Sequence, residues 1–320
     1  MTRAEIPTVI IPYPGACSNQ NCHDIFVYLR PETNGVLVES SLLRVIKEKP
    51  LYQENIQLIY LANVPGEFII ENKIVEDHYR YKMPFALYGG SIFTESMREQ
   101  FERYFAVTWG SRKIIGAYDA LKALDLTEEQ LFQIRVPQNH VLTVNCQVVK
   151  KIENIYVVNY DIPALLHKNN NQTDIAVMVF RSTLSKDDFH QMIGEMDQSL
   201  ADCGVITSDR SFRQAFHYSR GPFEQLLDAR GHLYAEDGKH IPLRTMQFCS
   251  FLRTKGILYG EIDRTLDNPI MTFRTENGEI AEECLYTYTQ DATYQQAYEI
   301  LLSSESHYLA DLAQLSRETA

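Results

Sequence analysis

Asn21-Cys22-His23-Asp24-Ile25-Phe26-Val27-Tyr28-Leu29 returns in outline 150 positions later as Asn171-Gln172-Thr173-Asp174-Ile175-Ala176-Val177-Met178-Val179. Both stretches read N-x-x-D-I-x-V, and an arginine, Arg30 or Arg181, closes each apolar run. Ile25, Val27 and Leu29 alternate with Phe26 and Tyr28, so both faces are apolar and the segment reads as an interior strand. Asp24 and Asp174 stand at the strand entrances, where a short carboxylate side chain favours an Asx turn. A second correspondence keeps the same spacing: Phe101-x-Arg103 before Trp109-Gly110, and Phe251-x-Arg253 before Tyr259-Gly260. The pattern predicts central strands at 24–30 and 174–181, each followed by a helix. It raises a diverged duplication, with two unrelated buried strands as the alternative.

Outward from these strands the periodicity changes. Residues 36–48 place Leu42, Val45 and Ile46 on one helical face ahead of Pro50, and Ile56 to Leu61 reads as another strand. An amphipathic helix is expected over 94–105, with Met97, Phe101, Tyr104 and Phe105 inward. Ser111 is read as the cap of a helix carrying Ile114, Tyr118 and Leu121, and Thr127 with Gln130 as a capping box. Segments 141–149 and 154–160 read as a hairpin turning at Lys150-Lys151. In the second half Ser185 caps a helix that faces Phe189, Ile193, Met196 and Leu200 inward and closes at Gly204. A basic helix is expected near 208–219, hairpin turns at Asp237-Gly238 and Asn277-Gly278, and a last long helix from Thr293 through Ile300, Tyr308, Leu312 and Leu315. The mixture predicts an α+β or mixed α/β fold in two similar-sized halves, 1–167 and 174–320, joined by a polar linker or long turn at 168–173.

The composition of the 320 residues is that of an ordinary globular protein, 45% hydrophobic and 22% charged. A formal charge of −12 opposes non-specific association with nucleic acid or anionic membrane. No apolar run is long enough to span a membrane, and Val9-Ile10-Ile11 before Pro14-Gly15-Ala16-Cys17 is too short for a signal-peptide core. The six cysteines are scattered at Cys17, Cys22, Cys146, Cys203, Cys249 and Cys284. They read as free thiols of a cytoplasmic protein, where the sequon at Asn171-Gln172-Thr173 would stay idle.

Signatures of P-loop NTPases, dinucleotide-binding folds, zincins, α/β-hydrolases and zinc ribbons are all absent. The sharpest local pattern is Arg210, Arg213, His217 and Arg220, which share one face if 208–219 is helical. Arginine forks suit carboxylate and phosphate, and His217 adds a group that titrates near neutrality. The plainer alternative is a solvated basic face, and Gly221-Pro222 threatens to interrupt the row. Arg30 and Arg181 are weaker candidates: at the ends of parallel strands they would meet at a common ligand site, and otherwise they salt-bridge to Glu32 or Asp187. Tyr88-Gly89-Gly90-Ser91 offers backbone amides to a phosphate or is a simple turn. Cys17, Cys22 and His23 do not complete a metal set. His232 and His240 read as surface residues about a turn. Tyr79, Tyr81, Tyr286 and Tyr288 offer an adaptable contact surface or half-buried strand positions.

No cofactor and no metal is expected. The reading that follows is a cytoplasmic, acidic, non-catalytic binding or regulatory protein, whose partner is another protein or an anionic small molecule. The competing reading is an enzyme on a phosphorylated or carboxylated small molecule, with Arg210, Arg213 and Arg220 holding the anion and His217 as acid or base.

Overall fold

The computed structural model describes residues 5–19, 21–170, 172–206, 215–274 and 277–305. Its strands are β1 (Thr8–Ile11), β2 (His23–Leu29), β3 (Ile56–Pro65), β4 (Lys113–Gly116), β5 (Val141–Val144), β6 (Gln147–Ile152), β7 (Ile155–Val158), β8 (Asp174–Ser182), β9 (Phe216–Tyr218), β10 (Ile270–Arg274), β11 (Ile280–Cys284) and β12 (Ser304–Glu305). They form three sheets, ordered β1-β3-β8-β2-β9, β4-β7-β6-β5 and β11-β10-β12, interleaved with helices in a mixed α/β fold. The described residues fall into two compact units. One takes those within 1–74, 169–262 and 290–297, the other those within 75–168, 263–289 and 298–320. Each unit draws on segments from both sides of residue 168.

In the first unit every strand pair is antiparallel, with β8 in the middle and β2 beside it. Ile25, Val27 and Leu29 of β2 lie on one face with Ala176, Met178 and Phe180 of β8. Helix Val36–Glu48 covers that face through Val38, Leu42, Val45 and Ile46, and helix Lys186–Asp202 through Met192, Ile193, Met196 and Leu200. Burying each such side chain is worth about 1.5–3 kcal/mol, which is why the two amphipathic stripes are pinned to this face. Ser185 caps the second helix by accepting from the Asp188 amide. Pro50 does not simply stop the first helix; it opens a short one, Pro50–Asn55.

The echo of β2 in β8 does not extend to equivalent halves. Side chains alternate along a strand, so the spacing of 150 equates Ile25 and Val27, under the helices, with Ile175 and Val177 on the opposite face. The second correspondence also separates, because Phe101 lies in the second unit and Phe251 in the first.

The second unit carries the four-stranded sheet, in which β4 runs parallel to β7 while β5, β6 and β7 form an antiparallel meander. Three expectations change along the chain. Ile114 sits on β4, and the helix begins only at Ala117, because the β-branched pair Ile114-Ile115 gains a strand partner in β7. Lys150 and Lys151 lie within β6, and the turns are at Asn145-Cys146 and Glu153-Asn154, with positive φ at Asn145, Cys146 and Glu153. The closing helix is Tyr294–Ser303, followed by β12, while Tyr308, Leu312 and Leu315 lie outside the described residues. The capping box at Thr127 and Gln130 has both of its hydrogen bonds, and Thr94 caps the helix Glu95–Phe105.

The thiol reading is corrected in this unit. Cys146 and Cys284 are joined in a disulfide that closes a loop of 138 residues. In the chain-entropy limit such a loop contributes about 5 kcal/mol by restricting the unfolded chain. Two cysteines so distant in sequence give no local sign of the bond, and with it the six cysteines no longer point to a reducing compartment. Cys17, Cys22 and Cys203 are free thiols. Among the described residues, no helix is long and apolar enough to cross a membrane.

Candidate functional site

The face of β2 opposite the two covering helices carries Asp24, Phe26 and Tyr28, with Arg30 following on the same side of the alternation. Helices Pro222–His232 and Gln247–Thr254 pack against β2, and Phe223 meets Phe248 edge-on at 5.1 Å between centroids. Polar side chains are therefore carried between a sheet and helices, where only paired ones are tolerated.

Of the expected basic row, Arg210 and Arg213 lie outside the described residues. His217 is not helical. It lies on β9, opposite Tyr28 in register, because Ala215 and Phe216 are drawn into the apolar core and pairing with β2 satisfies the backbone there. Arg220 follows the strand, and Gly221-Pro222 starts a helix instead of ending one. Strand alternation and the new helix start thus dissolve the single face predicted for His217 and Arg220.

What the tertiary structure assembles around His217 is different. His217 Nε2 lies 3.0 Å from Oδ2 of Asp228, which is fully buried. Asp228 and His232 occupy successive turns of helix Pro222–His232, and His232 Nδ1 lies 3.2 Å from the Asp228 carbonyl. The Tyr28 ring stacks with both imidazoles, with centroids 4.5 Å from His217 and 4.6 Å from His232. The Arg30 guanidinium stands 5.7 Å from the Tyr28 centroid, in cation–π range. Glu224, one turn before Asp228, accepts from the Arg220 backbone amide at 2.7 Å and from its guanidinium at 3.3 Å. In its hydrogen-bonding orientation the Gln290 amide oxygen accepts from Arg220 as well. Only 17% of the His217 side chain and 44% of the Arg220 side chain remain exposed, so the cluster opens on the arginine side.

Electrostatics drives this cluster towards neutrality. Burial holds His217 down to about 4, with Arg30 and Arg220 acting in the same direction against Glu224. Burial also brings His232 down to about 4. Asp228 is pushed well above the usual carboxylate range by burial, against the opposing pull of Arg30 and Arg220. A protonated carboxyl donating to a neutral imidazole carries no net charge, which is the cheaper state in a poorly solvated place. The pair then titrates as one unit, and both arginines bear on it.

The other end of β2 holds a pair of opposite character. Arg181 of β8 donates to Asp24 through Nε at 2.7 Å and Nη2 at 2.9 Å, a two-pronged ion pair. Burial lowers Arg181, but the hydrogen bonds and charge of Asp24 outweigh it and leave the guanidinium more firmly protonated than usual. Tyr13 donates to Asp24 Oδ2 at 2.6 Å, and Arg181 Nη2 also donates to the Gly15 carbonyl at 2.9 Å. Because β2 and β8 are antiparallel, Asp24 faces Arg181 and Arg30 lies at the far end. A site shared by Arg30 and Arg181, which needs parallel strands, is excluded; Asp24, not Asp187, is the partner of Arg181. Asp174 accepts from Asn63 Nδ2 at 2.7 Å.

The remaining candidates have packing explanations. Gly89 has φ +57, and a Cβ there would meet the β4 backbone at 2.5 Å, so its smallness serves close approach to the sheet. Glu282 accepts from Thr94 and Asn145, both at 2.6 Å. The rings of Tyr81 and Tyr286 meet edge-on at 5.2 Å, and Tyr286 is buried. His232 is buried, not superficial, while His240 bridges to Tyr234 about the Asp237-Gly238 turn. No group of three or more His, Cys, Asp or Glu among the described residues is placed to hold a metal ion.

Sequence reasoning reached His217, Arg220 and Arg30 and missed Tyr28, Asp228 and His232. The available signal was Glu224, Asp228 and His232 at four-residue spacing on a helix announced by Gly221-Pro222, an ionisable stripe where an amphipathic helix shows apolar residues. Comparison of the chain with protein-family models, with curated proteins and with solved structures finds no match in any of the three.

Proposed function

We propose that the chain is a non-catalytic binding or regulatory protein whose ligand is a small phosphorylated or carboxylated molecule, taken at Arg220 and Arg30 beside His217. One observation carries the reading: the half-exposed Arg220 side chain and the Arg30 guanidinium, 5.7 Å from the Tyr28 ring, both lie close enough to bear on the same buried imidazole–carboxyl pair. An interior stack of two histidines and a tyrosine around an aspartate is expensive for stability alone, and perturbed ionisable clusters of this kind concentrate at functional sites. An anion placed between the arginines offsets the positive field that helps hold His217 neutral, so binding draws a proton onto the pair. The ligand affinity then rises as pH falls.

The test is a thermal-shift screen of the full chain against phosphorylated and carboxylated metabolites, followed by titration calorimetry of any hit at two pH values. Arg220→Ala is expected to lose at least tenfold in affinity, about 1.4 kcal/mol, and His217→Gln to bind with little pH dependence. A screen without stabilisation, or a hit that Arg220→Ala leaves intact, sinks the reading. A second reading, acid–base catalysis on such a ligand, is favoured by the 3.0 Å approach of His217 to Asp228. Turnover of a bound hit that disappears in His217→Gln while binding persists would select it.

A further inference from the structure

The segment between β1 and β2 brings two thiols together beside the Asp24–Arg181 pair. Cys17 Sγ and Cys22 Sγ are 2.8 Å apart, inside ordinary non-bonded sulfur contact, and both are free. They differ in access: Cys17 is partly exposed, whereas Cys22 retains 2% exposure. Several contacts hold them in register. Gln247, buried on helix Gln247–Thr254, accepts from the Cys17 amide at 2.7 Å and donates to the carbonyls of Cys17 and Asn19 at 3.3 and 3.1 Å. The Cys22 thiol donates to the Asn19 carbonyl at 2.9 Å, and Arg181 fixes the Gly15 carbonyl. Burial, with the Cys17 contact second, pushes the Cys22 thiol up to about 12, so it is a poor first nucleophile.

We propose that Cys17 and Cys22 form a redox-active dithiol that closes to a disulfide by exchange with a low-molecular-weight disulfide, Cys17 attacking first and Cys22 resolving. In the first step the Cys17 thiolate attacks one sulfur of the oxidant, the oxidant's S–S bond breaks, and one thiolate leaves. In the second, Cys22 attacks Cys17 Sγ, the mixed disulfide breaks, and the Cys22 proton passes to the second departing thiolate. Two protein thiols are oxidised and one small disulfide is reduced to two thiols. The neighbouring Gln247 clamp places the sulfurs so that closure needs little movement of the segment, unlike two cysteines brought together only by chain diffusion. The high affinity of Cys22 for its proton makes resolution the slow step.

The experiment uses the full chain equilibrated with mixtures of glutathione and glutathione disulfide, quenched in acid, alkylated and digested. Mass spectrometry then follows the peptide that carries both cysteines. The wild-type peptide is expected to lose two hydrogens and escape alkylation as the mixture becomes oxidising, and to regain two alkyl groups on return to excess glutathione. In Cys22→Ser, glutathione remains attached to Cys17. In Cys17→Ser, Cys22 acquires glutathione at least tenfold more slowly than Cys17 does in Cys22→Ser. A wild-type peptide that stays doubly alkylated across the series overturns the proposal, whatever the folding of the variants. Equal glutathionylation of the two single variants overturns the assigned order of attack.

Discussion

The two ends of β2 hold two buried carboxylates in opposite states. At its start Asp24 meets a guanidinium through two short hydrogen bonds, with Tyr13 adding a third, and the site is built as a charged pair. At its end Asp228 meets an imidazole, and burial moves both partners towards their neutral forms. Both carboxylates are fully buried, so exposure does not explain the contrast. The partner does. Arginine cannot give up its proton at any ordinary pH, so its carboxylate must be charged to pair with it, whereas histidine can accept neutrality. One end of the strand is therefore a fixed lock and the other is a titratable pair.

Breaking the lock should have the largest effect. Arg181→Ala leaves Asp24 buried without its cation and is expected to cost about 3–5 kcal/mol in chemical denaturation. The joint replacement Asp24→Leu with Arg181→Met should recover most of that loss, because it removes both desolvated charges together. A joint variant as unstable as Arg181→Ala would mean that Tyr13 and the Gly15 carbonyl, not the ion pair, are what the site depends on.

Acid should act next, and on the other end. The imidazole of His232 is held at about 4 in the folded chain against an ordinary value of 6.5. Between those two values the unfolded chain binds more protons, so stability falls as pH drops through that window and is fully present above it. The loss attributable to His232 approaches about 3 kcal/mol at the lower limit. Thermal unfolding across this range should show a shallower slope in His232→Gln than in the wild type. An unchanged slope would place the acid sensitivity elsewhere.

Asp228→Asn sharpens the comparison with the smallest expected change. An amide imitates a protonated carboxyl and still donates to His217, so the cost should stay below about 2 kcal/mol. Asp24→Asn, which sets an amide against a guanidinium, should cost clearly more. Equal losses for the two substitutions would show that Asp228 is charged in the folded chain.

Legibility followed the range of the interaction. The Thr127 capping box, the Ser185 cap and the helices 36–48 and 95–105 rest on contacts within a few residues, and the residue order announces them. The interior character of β2 and β8 was likewise visible in their two apolar faces. His217 was misplaced on a helix because basic residues at helical spacing are also compatible with a strand once an edge is available to pair with. Ile114 was misplaced for the same reason, its β-branched side chain finding β7 in the fold. Tyr28, Asp228 and His232 come from a strand and a helix nearly 200 positions apart, and no periodicity links them.

By itself the sequence determined the helices 36–48, 95–105 and 186–202 with their apolar faces, the interior strands β2 and β8, and that the fold mixes α with β. These follow from backbone geometry and side-chain period, which act locally. Tertiary structure alone decided that β2 and β8 run antiparallel, and with that Asp24 met Arg181 while Arg30 was sent to the far end. It also decided which cysteines are bonded and which merely touch, and which carboxylate is paired with a fixed cation. Strand direction and register are set by the burial of whole faces against one another, a property of the assembled sheet and of no single stretch of chain.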